Sequence, residues 1–135
     1  MYGNLVPWLG TGAATPGPTR DYTDLWWGGA AENGWGLNLI QHPSRIVFGV
    51  WYTYDLAGQR TWLSFSNGTW TAPDTYEGTL YAITGPSQAG AFDPNAVVRT
   101  PIGNFTLAFS DADNGVFRFT VNGQAGAKAI TRFRF

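Results

Sequence analysis

The feature that most constrains this chain is a series of short alternating segments cut by hairpin turn signals. Apolar or β-branched residues alternate with polar ones, and no 11-residue window holds a helical period. Strands are predicted near 23–28, 35–41, 45–54, 60–67, 75–83, 97–109 with a break at Pro101, 115–122 and 127–135. The turns at 55–58 (DLAG), 111–115 (DADNG) and 122–123 (NG) each join two such segments as a hairpin. Only 84–96 reads as a long loop. The fold class is therefore all-β: an antiparallel up-and-down meander of eight strands. Closing it into a barrel removes the exposed edges of an open sheet. An eight-stranded barrel is just wide enough to be filled by side chains or to hold one small ligand.

At 135 residues the chain is one domain, long enough to bury a core without staples. Residues 1–20 are rich in Gly, Thr, Ala and Pro and read as a linker or N-terminal arm, with Trp8 and Leu9 able to pin it. The barrel domain is assigned to 21–135. There are no cysteines, which excludes disulfides and thiolate metal sites. Eight basic and nine acidic residues give a net charge of −1, without the basic stripe that nucleic acid requires. Charged residues make up 13%, about half the usual share, so neutral polar groups must cover the surface. Such surfaces are common in extracellular bacterial domains. No apolar run is long enough for a membrane span. The opening MYGNLVPWLGTG does not read as a secretory signal.

Six of the seven tryptophans fall between Trp26 and Trp70. Each brings a large apolar surface and an N–H that needs a partner when buried. They either stack into an aromatic core or line a face for a flat ligand. Sugar rings present apolar C–H faces to indoles, and their hydroxyls bond to neutral amides. Asn33, Asn38, Gln41, Gln59 and Asn67 are interleaved with the aromatic residues. The candidate ligand-binding set is Trp27, Glu32, Asn33, Trp35, Trp51 and Trp62. In the third strand both faces are apolar, and in the last Ile130 shares a face with Lys128, Arg132 and Arg134. The core side of both strands is left open.

The stretch 28–36, GGAAENGWG, carries four glycines in nine residues around Glu32. One reading is structural: Glu32 is partly buried, accepts backbone N–H bonds and fixes the loop. The alternative makes Glu32 a catalytic general acid, with a pKa raised by desolvation. Glycoside hydrolysis needs a second carboxylate. Asp24, Asp55, Asp74 and Glu77 are candidates, and spacing selects none. His42 is the lone histidine, placed in a turn before Pro43. The stretch 111–115 reads as a hairpin rather than a calcium loop. No metal or cofactor is expected.

The pattern Leu25-Trp-Trp27, Glu32-Asn-Gly-Trp-Gly36, Trp51-Tyr-Thr-Tyr-Asp55, Gly58 and Trp62-Leu63 resembles a Trp-rich β-domain found singly or in tandem in exported proteobacterial proteins. Later stretches around Gly78, Pro86, Pro94, Phe109 and Ile130 fit it as well. That family has no established function. The resemblance implies export, at the cell surface or secreted, and an accessory role. A looser fold-level similarity to avidin-type barrels implies a ligand held among tryptophans. The expected function is a non-catalytic binding module for a neutral carbohydrate or other small ligand. A small glycoside hydrolase using Glu32, and a structural module that forms a homodimer, are the alternatives.

Overall fold

The computed structural model describes residues 17–135. The arm expected over 1–20, with Trp8 and Leu9, falls for residues 1–16 outside the described part. Nine strands follow one another: β1 (Asp24–Trp27), β2 (Gly36–Gln41), β3 (Val47–Tyr54), β4 (Arg60–Phe65), β5 (Thr69–Ala72), β6 (Thr75–Thr84), β7 (Val98–Phe109), β8 (Asn114–Val121) and β9 (Gln124–Arg132). Two 3-10 turns, Ala30–Glu32 and Pro94–Ala96, interrupt the loops.

Eight of these strands form a closed antiparallel barrel, the fold expected from the alternation. Neighbours in sequence pair in a meander. Trp26 opposite Arg132 joins β1 to β9, and Leu63 opposite Ala82 joins β4 to β6. The ninth strand, β5, is the one that alternation missed. It has four residues and stops before Pro73, too short to carry a period. It pairs only with the start of β6, beyond the reach of β4. The Tyr76 hydroxyl ties this region together, accepting from the Val47 N–H at 3.1 Å and the Gly68 N–H at 2.9 Å.

Pro101 does not break β7. Leu80 pairs with Gly103 and Tyr81 with Pro101, so Ile102 is an extra residue in a bulge. Its carbonyl accepts from the Asn122 N–H at 2.8 Å. The β3–β4 hairpin is fixed by Asp55, whose carboxylate accepts from the Ala57 and Gln59 N–H groups, both at 2.9 Å. Gly58 completes that turn at φ 77°, a conformation that disfavours side chains.

The interior is filled by Trp26, Leu37, Leu39, Trp51, Leu63, Phe65, Tyr76, Leu80, Phe105, Leu107, Phe117 and Ile130, all buried. Period two puts them on one face of their strands. Phe65 lies across Gly49 so closely that a Cβ there would sit 2.1 Å from the ring. The two faces left open by the sequence are thus assigned. Val47 and Trp51 of β3 point inward, with Gly49 between them, while Phe48, Tyr52 and Tyr54 face out. In β9, Ile130 points inward and Arg132 shares its side.

Arg132 works at one mouth of the barrel. Its side chain is only 12% exposed. It donates to the carbonyls of Asp21, Thr23 and Ala112 at 2.8–3.1 Å, pairs with Asp24 at 3.3 Å and with Asp113 at 3.5 Å, and lies 4.9 Å from the Trp26 ring. Tyr22 plugs the same mouth, stacked on Phe109 at 3.7 Å, and its carbonyl accepts from Trp26 Nε1 at 2.9 Å.

Candidate functional site

Residues directly opposite in a sheet share a face, so the register of β2, β3 and β4 builds the outer wall row by row. One row is Gly36, Tyr52 and Trp62. The next towards the β3–β4 turn is Tyr54 opposite Arg60. Tyr52 is 50% exposed and Trp62 47%, which is high for such large rings on a folded wall. Gly36 puts no side chain beside Tyr52, and a Cβ there would lie 3.1 Å from the Trp26 carbonyl oxygen. The Tyr54 hydroxyl donates to the Gly34 carbonyl at 2.7 Å and holds the β1–β2 loop against the wall.

Two open depressions result, and Tyr52 is the wall they share. The larger, about 390 Å³, is lined by Gly34, Tyr52, Tyr54, Arg60 and Trp62. The smaller, about 180 Å³, is lined by Trp27, Asn33, Trp35, Gly36, Tyr52 and Phe133. Trp27 is held edge-on to Phe133 at 4.9 Å. The groove crosses β1 to β4, about 14 Å at the usual strand spacing. That length suits a short run of sugar rings.

Of the residues expected from sequence, Trp27, Asn33 and Trp35 meet in the smaller depression and Trp62 lines the larger. Trp51 corrects the expectation. It is 6% exposed and lies inside the barrel, 4.9 Å from Phe117 and 4.6 Å from Phe119. Its place on the wall is taken by Tyr52, an aromatic neighbour outside the expected binding set. The missing signal is arithmetic: the hairpin pairs Tyr54 with Arg60, Tyr52 with Trp62 and Trp51 with Leu63. Trp51 and Trp62 therefore point to opposite faces.

Glu32 departs from both of its readings. It is exposed, with 42% of its side chain in solvent, and its carboxylate accepts from side chains rather than backbone: Lys128 Nζ at 3.1 Å and Trp35 Nε1 at 3.0 Å. These hydrogen bonds, Lys128 first, hold its pKa below the usual carboxylate value. A general acid working near neutral pH needs the opposite shift. Among the described residues the candidate second carboxylates have places of their own, with Glu77 on β6 opposite Thr69. Asp24 is held by Arg132, Asp55 by its own turn, and Asp74 accepts from the Thr75 hydroxyl at 3.1 Å. What Glu32 does is orient the Trp35 indole at the edge of the groove.

The remaining candidates are turn residues. His42 Nδ1 accepts from the Ser44 N–H at 3.0 Å. Asp111 accepts from the Asp113 N–H at 2.8 Å and from Asn114 Nδ2 at 3.1 Å, which closes a hairpin. Among the described residues no three His, Cys, Asp or Glu side chains gather as a metal site. No helix there is long and apolar enough to cross a membrane. No family model matches the chain, and no curated protein or solved structure was found similar to it.

Proposed function

We propose that this domain is a non-catalytic carbohydrate-binding module of a secreted or cell-surface protein, and that the sugar chain lies in the outer groove. The observation that carries the reading is the exposed cross-strand pair Tyr52 and Trp62 at the junction of two depressions. Nothing in folding requires such rings in water, since each would gain about 2 kcal/mol from burial. Flat rings held by a rigid sheet lose little freedom when a pyranose face stacks on them. Asn33 offers an amide for hydroxyls, and Trp27 and Trp35 extend the platform towards β1. The Glu32 carboxylate supports Trp35 and takes no part in bond cleavage.

Calorimetry against soluble oligosaccharides, with a pull-down on insoluble polymers, tests this reading. At least one glycan is expected to bind, and Trp62→Ala and Tyr52→Ala to weaken it by at least about tenfold. Phe48→Ala, on the same wall but outside the groove, leaves binding intact. No binding to any glycan, with a dimer by sedimentation that buries Trp62, would replace this reading with self-association.

A further inference from the structure

The groove contains one charge that stacking does not use. Arg60 stands at the start of β4, two residues from Trp62 on the same outer face. Its backbone pairs with Tyr54, while its side chain has no hydrogen-bond or ion-pair partner among the described residues. Four other cations are engaged: Lys128 with Glu32, Arg132 with Asp24 and Asp113, Arg134 with Asp113, and Arg99 over the Tyr81 ring at 4.3 Å. No carboxylate lines the depression of Arg60. The nearest in sequence, Asp55, spends an oxygen on the Ala57 and Gln59 N–H groups of its own turn.

We propose that the ligand is an acidic sugar chain, a polyuronate, and that Arg60 selects it by gripping a ring carboxylate. The proposal rests on the carbohydrate reading above and departs from the neutral glycan expected from composition. A uronate joins the two features that the depression offers. Its C–H face stacks on an indole, and its carboxylate projects from the edge of the same rigid ring. Alternate residues on a strand are about 6.6 Å apart, so Arg60 stands within one sugar ring's length of a ring stacked on Trp62. The guanidinium fork matches a carboxylate with two parallel hydrogen bonds. A neutral sugar would leave that fork to water. A nucleic acid strand would ask for a cation at each of several phosphates, and the larger depression supplies one.

The test uses matched ligands. Oligomers of galacturonate, glucuronate and mannuronate are each compared with their methyl esters, which keep the ring and remove the charge. Calorimetry is run at low and at physiological salt, with a short single-stranded oligonucleotide as a further ligand. At least one acid form is expected to bind about tenfold tighter than its ester, and less tightly as salt rises. Arg60→Gln removes that preference. Arg60→Lys retains part of it. Arg118→Gln, an exposed cation on β8 far from the groove, keeps it whole. Equal binding of acid and ester, a preference that survives Arg60→Gln, or tighter Arg60-dependent binding of the oligonucleotide overturns the proposal. If acid and ester bind equally and Trp62→Ala still abolishes both, the carbohydrate reading stands while the uronate assignment falls. If no glycan binds, both fall.

Discussion

The two halves of the barrel wall are built to the same inner pattern and to different outer ones. Inside, β1 to β4 contribute Trp26, Leu37, Leu39, Leu63 and Phe65, and β7 to β9 contribute Phe105, Leu107, Phe117 and Ile130, all buried. Outside, β7 to β9 show Asn104, Thr106, Arg118, Thr120, Ala125 and Ala127, the covering expected of a wall facing water. The outer face of β1 to β4 instead shows Leu25, Ile40, Phe48, Tyr52, Tyr54 and Trp62, each at least 37% exposed. Both halves fold by the same rule, so the rule does not account for the second set. Large apolar side chains left in the open on one face of the barrel are the ground for proposing that this face meets a ligand. The groove differs from the rest of that face, Ile40 and Phe48, in being lined also by Gly36, Asn33 and Arg60.

The comparison breaks first if the inner faces are not equivalent to each other and distinct from the outer one. Phe117, fully buried, is expected to cost about 3–5 kcal/mol as Phe117→Ala. Tyr52→Ala and Trp62→Ala should change stability by less than about 1 kcal/mol. Urea denaturation with tryptophan fluorescence measures all three. A loss at Trp62 as large as that at Phe117 would mean that the outer rings are structural.

The next effect contrasts charges rather than rings. Arg132 and Arg134 both meet Asp113, but one side chain is 12% and the other 67% exposed. Arg132→Met leaves three backbone carbonyls and Asp24 without their donor and is expected to cost about 2–4 kcal/mol. Arg134→Gln should cost less than about 1 kcal/mol. Thermal melting of the two variants side by side separates the mouth staple from an ordinary surface pair.

How far the sequence could be read follows from the same alternation. Eight of the nine strands, and the turns at Asp55, Asp111 and Asn122, were legible because each rests on local chemistry: a period, an Asx carboxylate, an Asn-Gly pair. β5 was not, because its pairing is supplied by β6 and a tyrosine hydroxyl rather than by its own four residues. Trp27, Asn33, Trp35 and Trp62, which line the two depressions, are picked out in the sequence by residue type alone. Trp51 was misplaced because type does not assign a face. The inward position of Arg132 runs against hydropathy and depends on Asp24, Asp113 and the carbonyls that meet it, none of which is close in sequence. Trp51→Phe tests the reassigned face: it should lower the melting temperature, since the interior loses volume, and leave glycan affinity unchanged. A loss of affinity with an unchanged melting temperature would return Trp51 to the site.

The smallest effect concerns Glu32, which links the two halves through Lys128 of β9 and Trp35 beside β2. Its folded pKa is lowered by those hydrogen bonds, whereas in the unfolded chain the group titrates near the ordinary value of about 4.3. A lowered folded value means that the unfolded state takes up protons first as pH falls. The contribution to stability is thus fully present above that ordinary value and is lost as pH falls through the folded one. Glu32→Gln keeps an acceptor for the Trp35 indole and removes the charge that faces Lys128. The wild type is therefore expected to melt slightly above this variant at neutral pH, and the gap to close in acid. Because the pair is exposed, added salt should shrink the gap as well. Differential scanning calorimetry from neutral pH down to about pH 3 reads this directly, with Lys128→Met as the partner control. A gap that widens on acidification would mean that burial or a like charge raises the Glu32 pKa instead. The general-acid reading, and with it an enzyme, would then return.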